Sequence, residues 1–271
     1  MKEQAISYFH LKSDQYAERY SVRARGDMLW DRHQAILEML GSAALPPGSN
    51  IVDLGCGPGL LSLDLARLGY RGVGLDGAAA MVRRSQAQAK AAGIAELWRY
   101  QVGDVEAVPL PSDTFHAVIS AGVIEYLPDD QRLVREAARL LKPGGRFILC
   151  VTNKYGYTVS LYPLLHLAKK IPGMVRMASA IRRLLVGGEG GAMDFGFLPR
   201  KQRPAQIRRV LAQNGFQIET DRYLQFTLLP SPFCALLSKL KLGFEANLNT
   251  LDHTWLRGLG SCYILSCRKQ D

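Results

Sequence analysis

A buried strand that runs directly into a glycine-rich turn is the feature of this sequence that most restricts its fold. The stretch Val52-Asp53-Leu54-Gly55-Cys56-Gly57-Pro58-Gly59 leads from an apolar run into a helical pattern that begins at Leu60. Glycine permits a tight turn and lets a ligand approach the backbone N–H groups at the start of the helix. A dinucleotide-binding fingerprint would need a further glycine at position 60. The turn therefore predicts a site for a smaller ligand.

Apolar runs alternate with helical periodicity from Asn50 onward, which is typical of strand–helix–strand units around a parallel sheet. We predict strands over residues 51–54, 72–76, 97–102, 117–121, 146–152, 216–223 and 262–268. The predicted helices cover residues 60–68, 78–92, 131–141 and 204–213. The run Lys142-Pro143-Gly144-Gly145 is expected to separate the third of these helices from the strand that follows it. The chain therefore belongs to the α/β class.

Acidic residues stand at the ends of three successive predicted strands. Asp53 lies in the first strand, Asp76 ends the second and Asp104 follows the third. The carboxyl ends of parallel strands share one edge of the sheet, so these carboxylates should converge on one crevice. A carboxylate there can accept hydrogen bonds from ribose hydroxyls. The pattern favours a cationic ligand that carries a ribose.

Five sequence blocks, in order and at normal spacing, resemble the motifs of the class I S-adenosylmethionine-dependent methyltransferases. They are Asp53–Gly59, Gly74–Asp76, Gly103–Glu106 with Pro109–Pro111, Ser120–Leu127 and Leu141–Gly145. The resemblance runs from about Asn50 to Gly145 and is weaker beyond. It implies a Rossmann-like, doubly wound sheet of seven strands in the order 3-2-1-4-5-7-6, with the last strand antiparallel. It also implies S-adenosyl-L-methionine as the cofactor.

The same resemblance assigns positions around that cofactor. It places Asp76 at the ribose, Asp53 under the loop near the ammonium end, and Asp104 with the Val105 amide at the adenine. The other residues expected at the cofactor are Tyr20, Gly55, Cys56, Gly57, Gly77, Met81 and Ala121. His116 stands where many relatives carry aspartate, and its alternating strand position favours a packed or capping histidine over a base.

Methyl transfer from a sulfonium is an in-line displacement with a neutral leaving group, so the protein mainly supplies alignment and a dry pocket. An alcohol or carbon acceptor would additionally need a positioned base. The candidates for acceptor contacts are Tyr16, Glu125, Tyr155 and His166. Each of them also has a structural explanation, and Tyr16 with Tyr20 fits an aromatic lid better than a base. No catalytic residue and no metal site can be assigned from the sequence.

The positive charge of the chain is concentrated in one segment. The formal net charge is +10, and residues 154–209 hold eleven Lys and Arg against two acids. Residues 161–186 include a basic amphipathic pattern, which three alternatives explain: a solvated lid, contact with an anionic membrane or lipid-like substrate, or contact with an acidic carrier or phosphorylated acceptor. A nucleic-acid substrate is not favoured, because Ser120-Ala121-Gly122-Val123 replaces the Pro-Pro-Tyr block of amino-methylating enzymes.

These observations predict an N-terminal helical and aromatic cap over residues 1–49, a core over 50–153 and 204–271, and a basic helical lid over 154–203. Five cysteines without a Cys-x-x-Cys pair, and a charged N-terminus, predict a cytoplasmic protein, with a peripheral position at the inner face of the membrane as the alternative. We expect methyl transfer to a small, apolar or amphipathic metabolite at O, N or C. The alternatives are a cofactor-binding regulatory or interaction protein without turnover, and a lipid-directed enzyme at the membrane surface. The oligomeric state stays open.

Overall fold

The computed structural model describes residues 1–21, 27–160, 173, 197–226 and 248–270. Seven helices and seven strands lie wholly within these residues. The helices are α1 (Lys2–Leu11), α2 (Ser13–Ser21), α3 (Met28–Ser42), α4 (Leu60–Arg67), α5 (Ala79–Ala91), α6 (Gln131–Leu140) and α7 (Pro204–Gln213). The strands are β1 (Asn50–Leu54), β2 (Arg71–Asp76), β3 (Trp98–Val102), β4 (Phe115–Ala121), β5 (Leu141–Thr152), β6 (Phe216–Leu224) and β7 (Cys262–Lys269). Short 3₁₀ helices cover Ile124–Tyr126, Leu248–His253 and Arg257–Leu259.

One sheet holds all seven strands in the order β3-β2-β1-β4-β5-β7-β6. Strands β1 to β5 pair in parallel, whereas β7 is antiparallel to both β5 and β6. The predicted order and the predicted antiparallel last strand are both confirmed. The parallel half brings the carboxyl ends of β1, β2, β3 and β4 to one edge, where ligands bind in open α/β sheets.

Apolar layers cover both faces of the sheet. Helices α3, α4 and α5 contribute buried residues to one layer, and α6 and α7 contribute to the other. The Asp27 carboxylate accepts hydrogen bonds from the N–H groups of Leu29 and Trp30, so it caps the start of α3. Proline at the first position of α7 is also typical of a helix start.

The start of β5 differs from the sequence prediction. The strand begins at Leu141, which pairs with Phe115, and the register then shifts before Ala117 pairs with Arg146. Gly144 adopts a φ of 71°, which is a conformation that glycine tolerates. The proline and glycines therefore form an irregularity inside the strand rather than a break before it. The other predicted boundaries in the described residues agree to within two residues.

His166 and the basic pattern of residues 161–186 lie outside the described residues. Most of the predicted lid over 154–203 lies outside them as well. Among the helices that the structure does describe, none is long and apolar enough to span a membrane.

Candidate active site

A cavity of about 270 Å³ opens at the carboxyl edge of the sheet. Its floor comes from the glycine loop, from the ends of β2 and β3, and from the segment that follows β4. Helices α1 and α2 form its outer wall. The lining residues are Lys2, Ala5, Ile6, Phe9, Tyr16, Gly55, Gly57, Asp76, Gly77, Ala78, Met81, Val102, Gly103, Asp104, Val105, Ala121, Gly122, Val123, Tyr126 and Leu127.

The glycine loop depends on the absence of side chains. Gly55 has a φ of 82°, and a Cβ atom there would lie 2.2 Å from the Val123 Cγ2 atom. Cys56 is buried and does not line the cavity. Its Sγ atom lies on the β2 side of the loop, 2.9 Å from where a Cβ atom of Gly74 would be. The loop therefore presents backbone rather than side chains to the cavity, which suits close approach by a ligand.

Asp76 is held by the backbone around it. Its Oδ2 atom accepts a hydrogen bond from the Gly57 N–H at 2.9 Å, and its Oδ1 atom accepts one from the Ala78 N–H at 2.8 Å. Burial raises the pKa of this carboxyl, and these two backbone hydrogen bonds oppose the rise. The carboxylate is thus fixed in orientation at the end of β2 and keeps lone pairs available for a ligand hydroxyl.

Asp53 is almost completely buried at the carboxyl end of β1. Its pKa is raised to about 7, chiefly by burial and also by the charge of Asp76, while Arg32 opposes the rise. Two carboxylates in a desolvated crevice favour a positively charged ligand, because a cation lowers the free energy of their ionised forms. Asp53 does not itself line the cavity.

Arg32 is a residue that the sequence reasoning missed. It lies on α3, and its Nη1 atom is 2.5 Å from the point that a Cβ atom of Gly122 would occupy, so it reaches the cavity wall. It is hydrogen-bonded to Tyr20. Its Nε atom is buried without a hydrogen-bond partner in the described part of the chain. The sequence signal for Arg32 was a positively charged residue between the core positions Leu29 and Ile36 of α3.

Helix α1 closes the Asp104 side of the cavity through an ionic contact. The Lys2 ammonium donates to both carboxylate oxygens of Asp104 at 2.6 Å, and to the Glu106 Oε2 atom at 2.5 Å. A Cβ atom on Gly77 would lie 3.0 Å from Ile6. Asp104 therefore shares its carboxylate between α1 and any ligand at that end of the cavity.

Five aromatic rings gather where α1 and α2 meet the segment after β4. The ring centroids of Phe9 and Tyr16 are 5.4 Å apart, and those of Phe9 and Tyr126 are also 5.4 Å apart. Tyr8 and Tyr126 each contact Phe197 at about 6 Å. Tyr20 stacks on Tyr16 behind this aromatic cluster, and it does not line the cavity. Of the two tyrosines predicted to form an aromatic lid, Tyr16 lines the cavity and Tyr20 lies behind it.

Glu125 is buried beside the aromatic cluster. Its Oε1 atom accepts hydrogen bonds from the Thr152 N–H at 2.6 Å and from the Thr152 hydroxyl at 2.9 Å. Its Oε2 atom is buried and has no hydrogen-bond partner in the residues described. Burial raises the pKa of the carboxyl, and the hydrogen bonds and Arg32 oppose that rise. The next residue, Tyr126, lines the cavity, whereas Glu125 does not.

The structure brings most of the sequence-predicted residues to one cavity. Those that line it are Tyr16, Gly55, Gly57, Asp76, Gly77, Met81, Asp104, Val105 and Ala121. Tyr155 is 54% exposed and does not line it. Lys2, Phe9 and Arg32 are the additions that sequence reasoning did not supply.

The sheet order and an acid-lined cavity at the glycine loop are typical of the class I S-adenosylmethionine-dependent methyltransferases. A family model described as "Methyltransferase domain" matches residues 52–149. The chain is 32% identical over 184 residues to a ubiquinone biosynthesis O-methyltransferase of Xanthomonas axonopodis pv. citri (strain 306), covering 68% of this chain and 69% of that protein. A protein of the same name from Methylobacterium sp. (strain 4-46) is 38% identical over 107 residues, or 40% of this chain and 42% of the relative.

Solved structures share the fold at low sequence identity. The [4+2]-cyclase SpnF matches with a TM-score of 0.67 and 17% identity, covering all of this chain and 97% of that one. A geranyl diphosphate methyltransferase matches with a TM-score of 0.57 and 17% identity, covering 88% and 77%. This chain belongs to the class I S-adenosylmethionine-dependent methyltransferase family. It is an enzyme that uses S-adenosylmethionine to methylate a small molecule.

Proposed function

We propose that the enzyme methylates a phenol-type hydroxyl oxygen on an apolar, lipid-like acceptor. The observation that carries this proposal is the aromatic cluster of Tyr8, Phe9, Tyr16, Tyr126 and Phe197 beside the cofactor cavity. Aromatic rings pack well on a planar apolar acceptor and exclude water from it. The names of the relatives, which are O-methyltransferases of ubiquinone biosynthesis, support oxygen as the methylated atom.

S-adenosylmethionine, when bound, supplies an electrophilic methyl group. We propose that Asp76 accepts hydrogen bonds from its ribose hydroxyls and that Asp53 lies under the glycine loop near its ammonium group. Arg32 reaches Gly122 at the same end of the cavity and is proposed to bind the methionine carboxylate through its unpartnered Nε–H. Asp104 and the Val105 amide face the adenine. The charges of these residues complement the charges of the cofactor.

Glu125 is our proposal for the group that accepts the hydroxyl proton. Thr152 fixes one carboxylate oxygen, and the other is buried without a partner among described residues. A raised pKa makes a carboxylate a stronger base and brings it closer to the pKa of a phenol. Since Tyr126 follows it directly in the 3₁₀ turn, a small rotation of this turn would bring the Glu125 carboxylate toward an acceptor.

An acceptor panel tests the proposed reaction. Three acceptors with the same prenyl tail would be compared: a phenol, an aniline and an enolisable 1,3-diketone. Release of S-adenosylhomocysteine is measured, and the product is identified by NMR. We expect methylation of the phenol oxygen. Preferred turnover of the aniline or of the carbon acceptor would overturn the assignment to oxygen. Cofactor binding without turnover of any acceptor would favour the regulatory alternative.

We also propose that the enzyme reaches such acceptors at an anionic membrane surface on the cytoplasmic side. Residues 161–186 carry the basic amphipathic pattern. Among described residues, Tyr155, Tyr157 and Trp255 are 54%, 44% and 90% exposed. The segment of Tyr155 and Tyr157 is held to the segment that follows Trp255, because the Asn153 side chain donates hydrogen bonds to the carbonyls of Gly258 and Gly260 at 2.8 and 2.7 Å. Exposed aromatic residues and a basic amphipathic sequence pattern both suit a lipid interface.

Vesicle sedimentation tests the membrane contact. We expect binding to vesicles that contain anionic phosphatidylglycerol, weak binding to phosphatidylcholine alone, and a loss of binding when Trp255 is replaced by Ser. The matched control Trp30→Ser removes a tryptophan that is only partly exposed. Absence of binding to anionic vesicles at low salt would overturn the membrane contact. An acidic carrier protein that binds under those conditions would then be the favoured acceptor source.

A further inference from the structure

A second cavity, of about 310 Å³, lies at the opposite edge of the sheet from the cofactor cavity. It sits where β4 and β5 begin, and the turn of residues 43–46 between α3 and β1 forms one wall. His116, the segment Lys142–Arg146 and Arg268 form the rest. Its volume falls in the range of small-ligand pockets. We refer to it as the basic cavity.

The side chains around the basic cavity carry an excess of positive charge. Lys142, Arg146 and Arg268 all line it. Arg146 forms an ion pair with Glu219. Within the described residues, neither Lys142 nor Arg268 has a carboxylate within ion-pair distance. Two cations therefore face the cavity without a counter-charge from the described residues.

His116 and Lys142 point hydrogen-bond donors at each other. The Asn50 N–H donates to the His116 Nδ1 atom at 3.1 Å, so a neutral imidazole carries its proton on Nε2. The Lys142 Nζ atom lies 3.1 Å from that Nε2 atom. Burial and the charge of Lys142 lower the pKa of His116, which keeps the ring neutral. An ammonium group cannot accept a hydrogen bond, so the Lys142 ammonium and the His116 Nε2–H cannot satisfy each other. An anionic oxygen between them would accept a hydrogen bond from both.

Arg268 lies beside Gly144 at the basic cavity. A Cβ atom at Gly144 would lie 3.5 Å from the Arg268 Nη2 atom and 3.7 Å from Nε. The guanidinium therefore lies directly over the glycine backbone, on the same cavity as Lys142. A guanidinium and an ammonium around one pocket match the several oxygens of a phosphate group better than a single carboxylate.

We infer that the basic cavity is a binding site for a phosphate or diphosphate group, held between Lys142, His116 and Arg268. The site lies at the opposite edge of the sheet from the methyl-transfer cavity, so it is independent of the proposed function. A phosphate oxygen placed between the Lys142 ammonium and the His116 Nε2–H would accept a hydrogen bond from each. Arg268 would bind a second oxygen.

Titration of the full chain with inorganic pyrophosphate at low salt tests the site. We expect saturable binding by calorimetry and a shift of the His116 ring signals by NMR. Lys142→Gln and Arg268→Gln should each weaken the affinity about tenfold or more, whereas Lys90→Gln removes an equal charge from the exposed end of α5 and should not. No saturable binding, or equal weakening by Lys142→Gln and Lys90→Gln, would overturn the inference. Thermal unfolding of each variant verifies folding.

A competition experiment identifies the source of the phosphate group. Vesicles that contain phosphatidic acid are added to the pyrophosphate complex, with phosphatidylcholine vesicles as the control. Displacement of pyrophosphate by the first vesicles alone supports the site and assigns it to a lipid headgroup. Retention of pyrophosphate supports the site and assigns it to a soluble phosphate-bearing ligand.

Discussion

Replacing Asp53 by Asn should stabilise the ligand-free enzyme while weakening its hold on the cofactor. The pKa of Asp53 rises from 3.8 to about 7 in the folded chain. This rise in pKa corresponds to a free-energy cost of about 4 kcal/mol for the ionised form in the folded state. The folded state holds a proton that the unfolded state releases, so stability falls as pH rises from about 4 to about 7, and the loss persists above pH 7. Asparagine cannot ionise and therefore avoids this loss.

We expect the Asp53→Asn variant to be more stable than the natural enzyme at pH 8 by about 4 kcal/mol, and to match it near pH 4. At this chain length the difference corresponds to a melting temperature that is roughly 10 °C higher. Thermal unfolding without cofactor measures it. Asp113→Asn is the matched control, because Asp113 is 58% exposed and its side-chain contact is an ion pair with Lys269.

Cofactor affinity should change in the opposite direction. If the ammonium group of S-adenosylmethionine needs the ionised carboxylate, the dissociation constant of the natural enzyme should be about tenfold higher at pH 6 than at pH 8. Calorimetry at both values measures this. The Asp53→Asn variant should bind weakly at both, without that dependence. A variant that keeps the same pH dependence, or that is less stable than the natural enzyme at pH 8, would refute the assignment of Asp53.

Three further substitutions probe the site. Asp76→Asn removes a charged acceptor and should weaken cofactor binding roughly tenfold to a hundredfold by calorimetry, while unchanged affinity would contradict the ribose contact. Gly55→Ala should lower the free energy of unfolding by about 1–3 kcal/mol more than Gly69→Ala, because both glycines have a φ of 82° and only the first faces a side chain. Equal losses in thermal unfolding would exclude the steric effect of Val123. Glu125→Gln should lower kcat about a hundredfold with little change in the acceptor KM, and an unchanged kcat would remove it as the base.

The sheet and the floor of the cavity could be predicted from the sequence because their signals are local. The glycine loop, Asp76 and Asp104 each stand at a fixed place after an apolar strand. The resemblance then supplied the strand order. The irregular start of β5 could not be predicted in this way. A proline followed by glycines is equally compatible with a loop before a strand and with an irregularity inside a strand that keeps its pairing.

The cap residues of the site escaped prediction for a different reason. Lys2 contacts Asp104 across 102 positions of the chain, and Arg32 meets Gly122 across a similar interval. The position of Arg32 among the core residues of α3 marks it as unusual, but neither sequence position identifies the distant residue that it contacts. The aromatic content of the N-terminal segment predicted a cap, and helices α1 and α2 line the cavity in the structure.

The way α1 is attached sets how ligands exchange. Ala5 is the buried residue of this helix and Phe9 packs on Tyr16 and Tyr126, while the ion pairs of Lys2 add an electrostatic part to its attachment. Salt screens contacts of this kind far more than it weakens apolar packing. Higher ionic strength should therefore speed both the entry of the cofactor and the release of the demethylated product. If that release limits turnover, the enzyme will run faster in moderate salt even as it binds its cofactor less tightly.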